Sequence, residues 1–100
     1  MMIRIAIDNV RIAEFCRRWK IRELSFFGSV LRDDIRPDSD VDVLVSFEED
    51  EHWGLTDWVI MMDELQEILG RQVDLVQKET LRNPYRRHEI LRTREVVYAA

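Results

Sequence analysis

Cysteine is almost absent from this chain. Cys16 is the only one, so no disulfide can close within it, in keeping with a reducing compartment. No apolar run approaches the roughly 18–20 residues that cross a bilayer, and the start, MMIRIAID, lacks the apolar centre and cleavage site of a secretory signal. The chain is therefore expected to remain in the cytoplasm, with no membrane partner. A basic excess is lacking too: 15 Lys and Arg stand against 20 Asp and Glu, a formal net charge of −5. That balance opposes unspecific, direct binding to nucleic acid, where phosphates must be neutralised. There is no GxxxxGK[ST] loop, which sets aside a P-loop nucleotide hydrolase. His52 has no partner at metal-ligand spacing and reads as a solvated residue.

What is present is a globular composition. Over 100 residues, 46% are hydrophobic and 35% charged, enough for one hydrophobic core and too little for a separate substrate domain. One domain over residues 1–100 is expected. Charge is unevenly spread: Glu48, Glu49, Asp50 and Glu51 form an acidic run, whereas Arg82, Arg86, Arg87, Arg92 and Arg94 crowd the tail. The plain reading of the tail is a solvated helix face; the alternative is a basic surface for a phosphate or an acidic partner.

Periodicity predicts the elements. Val10, Ile12, Ala13, Cys16 and Trp19 suggest a helix over residues 8–20, capped by Asp8 or Asn9. Cys16 reads there as a small core residue. Leu24–Phe27 is a short strand ending at Gly28, and Ser29 opens a short helical turn through Arg32. Residues 33–39 read as a loop prolonged by Pro37. A strand over Val41–Phe47 places Asp40, Asp42 and Leu44 on one face and Val41, Val43, Val45 and Phe47 on the other. Residues 55–69 carry the clearest apolar stripe, Leu55, Trp58, Val59, Met62, Leu65, Ile68 and Leu69, with Thr56 as a cap and Gly70 as the stop. Val73–Val76 is a third strand containing Asp74, and the tail from about Asn83 reads as broadly helical. Trp19 and Trp58 fall on apolar helix faces, and Trp53 is expected to pack within its loop.

One stretch carries chemistry. In GSVLRDDIRPDSDVDVLV, Gly28 to Val45, a Gly-Ser pair follows an apolar strand and two aspartates flank a single valine at the start of the next. The glycine allows close backbone approach by a ligand, and free N–H groups at a helical start favour an anion. Side-by-side carboxylates entering a buried strand are costly unless something positive neutralises them, and a divalent metal carrying a polyphosphate would do so. The short connection from Gly28 to Asp40 makes the first two strands antiparallel. The helix over 55–69 is long enough for a crossover and makes the second and third parallel. Asp40, Asp42 and Asp74 are then expected to converge beside Ser29. Asp40 and Asp42 would hold the metals, Asp74 would complete the site and help accept the proton of an incoming hydroxyl, Gly28 and Ser29 would hold phosphates, and Arg32 would either neutralise phosphate charge or pair with Asp33 or Asp34.

The order Phe27-Gly28-Ser29, ten intervening residues, Asp40-Val41-Asp42 and a strand-borne Asp74 resembles the minimal nucleotidyltransferases of the DNA polymerase beta superfamily. The resemblance covers nearly the whole chain, including the Pro37-Asp38-Ser39 approach. It departs at Asp33 and Asp34, where family members often have glycine after the arginine matching Arg32. The resemblance implies an α/β (α+β) fold, αβαβαβα with a small mixed sheet flanked by helices. It also implies transfer of a nucleoside monophosphate from a nucleoside triphosphate, ATP with Mg2+ (two ions). Many such proteins are similar to antitoxins paired with a HEPN-type ribonuclease toxin, and some to adenylyltransferases of a tyrosine on that toxin. The small size, with no domain for binding an acceptor, points to a partner chain as the acceptor. Two readings follow: an enzyme that adenylylates its HEPN toxin within a hetero-oligomer, or an antitoxin that neutralises the toxin by binding alone. A metal nuclease is a third, which would leave the Gly-Ser turn without a role.

Overall fold

The computed structural model describes residues 7–28, 40–48 and 53–100. Helix α1, Asn9–Arg18, starts where the Asp8 carboxylate accepts from the Val10 and Arg11 backbone N–H groups at 3.1 and 3.2 Å. This satisfies two donors that the first helical turn leaves open. Arg17 and Arg18 in its last turn suit the negative end of the helix dipole. Its buried stripe is Ile12, Phe15 and Cys16, joined by the half-buried Trp19, a 12-15-16-19 spacing that fits one helical face. The expected stripe included Val10, which is 68% exposed; the buried face takes in Phe15 instead, three residues beyond Ile12.

Strand β1, Ile21–Phe27, begins three residues earlier than expected because Ile21 already pairs with Phe47 in the next strand. Strand β2 is Val41–Phe47, helix α2 is Leu55–Leu69 and strand β3 is Val73–Gln77. Gly54, and not Thr56, caps α2, its N–H donating to the Asp57 carboxylate at 3.0 Å. The predicted stop holds: Gly70 takes a left-handed conformation, φ 68°, and donates its N–H to the Gln66 carbonyl at 2.8 Å. A 3-10 turn over Lys78–Thr80 leads to helix α3, Pro84–Thr93, which Asn83 caps and Pro84 starts.

The tail departs from expectation beyond Thr93. Glu95–Ala99 is a strand, β4, lying antiparallel to β1. The helix cannot continue because Arg94 has extended backbone, and Val96, Val97 and Tyr98 are residue types that favour a pleated surface. The four strands form one mixed sheet in the order β3-β2-β1-β4, with β2 and β3 parallel across the α2 crossover and the other pairs antiparallel. This agrees with the expected mixed fold and with both predicted pairings.

Both faces of the sheet are covered. On one face Val41, Val43 and Val45 pack with Phe15 of α1 and with Met61, Leu65 and Leu69 of α2. On the other, Phe27 and Leu44 meet Leu81 and Ile90. β2 alternates as predicted, so Asp42 shares its face with Leu44 and Ser46. Trp53 packs in place as expected: its indole N–H donates to the Trp19 carbonyl at 3.1 Å, and its ring lies edge-on to Trp19 at 5.1 Å. Of the apolar residues assigned to the α2 stripe, Leu55 and Val59 face outward.

Candidate active site

The sheet brings three chain segments to one edge. β1 ends there at Phe27 and Gly28, β2 begins there after Asp40, and β3 begins there at Val73. Phe27 pairs with Asp42, and Asp42 pairs with Asp74. The two aspartates are thus rung partners on neighbouring strands, separated by the usual spacing of about 4.8 Å between strands. Two further bonds fix this edge. Val41 N–H donates to the Gln72 carbonyl at 2.8 Å, and Val73 N–H donates to the Gln66 side-chain carbonyl at 3.3 Å. Gln66 was not foreseen from the sequence. It lies on the polar flank of α2, and only the folded crossover shows that its amide reaches the start of β3.

Gly28 has a specific task here. Its φ is +73°, a conformation that L side chains rarely adopt. A methyl group in its place would overlap Asp42 Oδ2 and lie 3.2 Å from Asp42 Cγ. The bare backbone of Gly28 therefore leaves room for the Asp42 carboxylate.

The remaining predicted residues stand as follows. Asp42 is half-buried, while Asp40 and Asp74 are exposed at the same edge. Asp40 precedes β2, so strand alternation does not orient it. Among the described residues, no three His, Cys, Asp or Glu side chains are drawn together closely enough to enclose a metal ion. Register joins Asp42 to Asp74 and the chain places Asp40 two residues from Asp42, without a closed three-carboxylate cage. Ser29 and Arg32, the predicted phosphate contacts, lie outside the described residues, as do Asp33, Asp34 and the acidic run over 49–51. His52 lies outside them as well. Cys16 takes no part in the site: it is fully buried, and burial pushes its thiol up to about 12.

This donor set can be tested against magnesium. Magnesium prefers oxygen ligands and is commonly held by one or two carboxylates together with substrate phosphates, not by an all-protein cage. Two aspartates on one rung, a third two residues upstream and a close-approach glycine fit that pattern. They do not fit zinc, which wants nitrogen or sulfur at tetrahedral spacing.

Comparison with known proteins agrees with this geometry. Residues 11–97 match the nucleotidyltransferase domain family. The chain is 39% identical over 85 residues to the protein adenylyltransferase MntA of Thermococcus cleftensis, an alignment covering 85% of this chain and 81% of the relative. A solved structure assigned as a minimal nucleotidyltransferase superposes with a TM-score of 0.70 at 34% identity, covering 87% of this chain and 86% of that one. A toxin–antitoxin complex solved with AMP-PNP shares the fold, with a TM-score of 0.74 at 17% identity over 94% of this chain and 75% of that one. From the strand-borne aspartates, the glycine that admits them and these likenesses together, the chain belongs to the nucleotidyltransferase domain family, among its minimal members.

Proposed function

We propose that this protein transfers AMP from ATP to a hydroxyl of a second protein, a tyrosine of a cognate HEPN ribonuclease toxin, and in doing so acts as the antitoxin. The observation that carries the reading is the Gly28–Asp42 contact on a rung shared with Asp74. Such a constellation contributes little to folding: it puts two carboxylates at one strand edge and fills a left-handed position with the residue least able to pack. The relation to MntA, a protein adenylyltransferase, supports the transferred group. The likeness to a toxin–antitoxin complex solved with AMP-PNP supports the setting.

In this reading Asp40 and Asp42 hold magnesium, with Asp74 completing the set. When bound, the metal neutralises the phosphates and lowers the charge that builds on the leaving pyrophosphate. Gly28 N–H, Ser29 and Arg32 hold the outer phosphates, so that the innermost phosphorus faces the acceptor. Asp74, exposed on the outermost strand, receives the hydroxyl proton as the acceptor oxygen bonds to phosphorus and the bond to pyrophosphate breaks. A protein acceptor also suits the absence, among the described elements, of any substrate-binding extension beyond the sheet and its helices.

The test is to incubate the purified chain with its toxin, ATP and magnesium and to measure the toxin's intact mass. A gain of one adenylyl group on a tyrosine is expected; an unchanged mass, under conditions where the Thermococcus MntA modifies its own target, overturns the reading. Replacing Asp40 and Asp42 by asparagine separates catalysis from binding. Neutralisation that survives both substitutions would make this an antitoxin by occupancy alone.

A further inference from the structure

We infer that the start of α3, with Tyr85 and Arg86 in its first turn and Arg82 just before its cap, is a docking surface for an acidic patch on the protein that this chain modifies. The inference adds a place of contact to the proposed activity and rests on that reading only for the identity of the partner. Three observations carry it. The first is charge. Residues 82–94 hold five arginines against one glutamate, a formal +4, whereas the rest of the chain carries −9. A local basic face on an acidic protein is a feature that folding does not require.

The second is how those arginines are used. Arg87 donates to the Lys78 carbonyl at 3.0 Å, Arg92 to Glu89 at 2.8 Å, and Arg94 pairs with Glu23 at 3.1 Å. Arg82 and Arg86, by contrast, take no partner among the described residues and are exposed. They flank Tyr85, which is 86% exposed. Tyr85 and Arg86 lie in the first turn of α3, and Arg82 immediately precedes its cap, Asn83. A tyrosine between two arginines is a composition that protein interfaces favour, because both side chains join a large buriable surface to a polar or charged tip.

The third is position. α3 packs through Ile90 on Phe27, the register partner of Asp42, so it lies on the sheet face that bears the site. β3 ends at the edge away from the aspartates and β4 begins near them, pairing Glu95 with Phe26. α3 therefore runs back toward the site, and its first turn sits about 15 Å away, the length of a ten-residue helix. At that distance the surface holds the body of the partner while the acceptor hydroxyl reaches the aspartates. A nucleic acid would also meet the arginines, but its extended phosphate chain would run against the surrounding negative charge. A compact acidic patch would not, because at physiological salt charges beyond about 8 Å are largely screened.

The probe is a fluorescent glutamate–tyrosine copolymer, with a lysine–tyrosine copolymer and oligouridylate as comparisons, titrated by anisotropy at about 0.1 M salt. The native chain is expected to bind the acidic copolymer and not the others. The double charge reversal Arg82→Glu/Arg86→Glu should weaken that binding by about tenfold or more. Tyr85→Ala should weaken it with the charge unchanged. Both variants are expected to keep the native melting temperature and magnesium-dependent ATP binding. The inference is overturned if the reversal leaves copolymer binding intact, if oligouridylate binds as tightly and is lost with it, or if the native chain binds none of the probes. Failure of the adenylyltransferase reading is separate: it would appear as no magnesium-dependent ATP binding by a chain that still takes up the copolymer.

Discussion

Substituting alanine at Gly28 isolates the contact on which the site depends. The native φ of +73° costs an L residue about 1–2 kcal/mol. The new methyl also meets the Asp42 carboxylate, with Asp42 Cγ at 3.2 Å and Asp42 Cβ at 3.5 Å. Turning that side chain away from its preferred geometry costs roughly another 0.5–1.5 kcal/mol. Gly70→Ala is the matched control: its φ is nearly the same, +68°, but nothing lies within 4 Å of an added Cβ. Both variants should lose the backbone part, and only Gly28→Ala the second part. A total of about 1.5–3.5 kcal/mol lowers the melting temperature of a chain this size by about 6–28 °C, against about 4–16 °C for the roughly 1–2 kcal/mol of the control. In the proposed reaction, displacing the Asp42 carboxylate by an ångström would cost about 100-fold in rate. Thermal denaturation and magnesium-dependent ATP binding by calorimetry, run on both variants, give the answer. If the two lose equal stability and Gly28→Ala binds ATP as the native chain does, Gly28 is no more than a turn residue and the contact with Asp42 has no functional meaning.

Other outcomes follow from the same structure. Asp42→Asn should leave the sheet folded while adenylyl transfer falls by about 100-fold or more, the scale seen when one preorganised electrostatic group is removed; chelation should abolish transfer and added magnesium restore it. Leu65→Ala empties a fully buried position beneath β2 and should cost about 2–5 kcal/mol in urea denaturation. Cys16 should resist alkylation at pH 8 in the native chain and react readily in denaturant, as burial and a thiol held near 12 require. Its folded pKa lies above the ordinary 9.0, so the folded state binds more protons between the two values. The stability it lends is complete below about pH 9 and is lost as pH rises toward about 12, where Cys16→Ser should flatten the profile.

Much of this arrangement was legible in the residues, for identifiable reasons. Alternation in Val41–Phe47 assigned the two faces of β2 because successive side chains of a strand point to opposite sides. The start of α1 at Asp8 and the end of α2 at Gly70 were readable because each is set by local chemistry. β4 escaped because Glu95–Ala99 gains its stability from β1, a strand some seventy residues earlier, and nothing local distinguishes it from a helix end except the Val96-Val97-Tyr98 run. Val10 was misplaced because, two residues before Ile12, it lies about 160° around the helix from it, whereas Phe15, three residues after Ile12, shares the buried face. The rung shared by Asp42 and Asp74 followed from the predicted parallel pairing. The tuck of Asp42 against Gly28 did not, because it depends on how β1 ends beside β2.

The place of Asp74 has an evolutionary consequence. It stands exposed on β3, the outermost strand at that side of the sheet, whereas the Val73 and Leu75 side chains beside it are buried. Substitution at such a surface position commonly changes stability by less than about 0.5 kcal/mol. A lineage could thus discard the proposed proton acceptor in a single step and keep a folded protein with its partner-facing helix intact. Descent from modifying enzyme to mere escort is structurally short, and the residue at position 74 is where it would first be recorded.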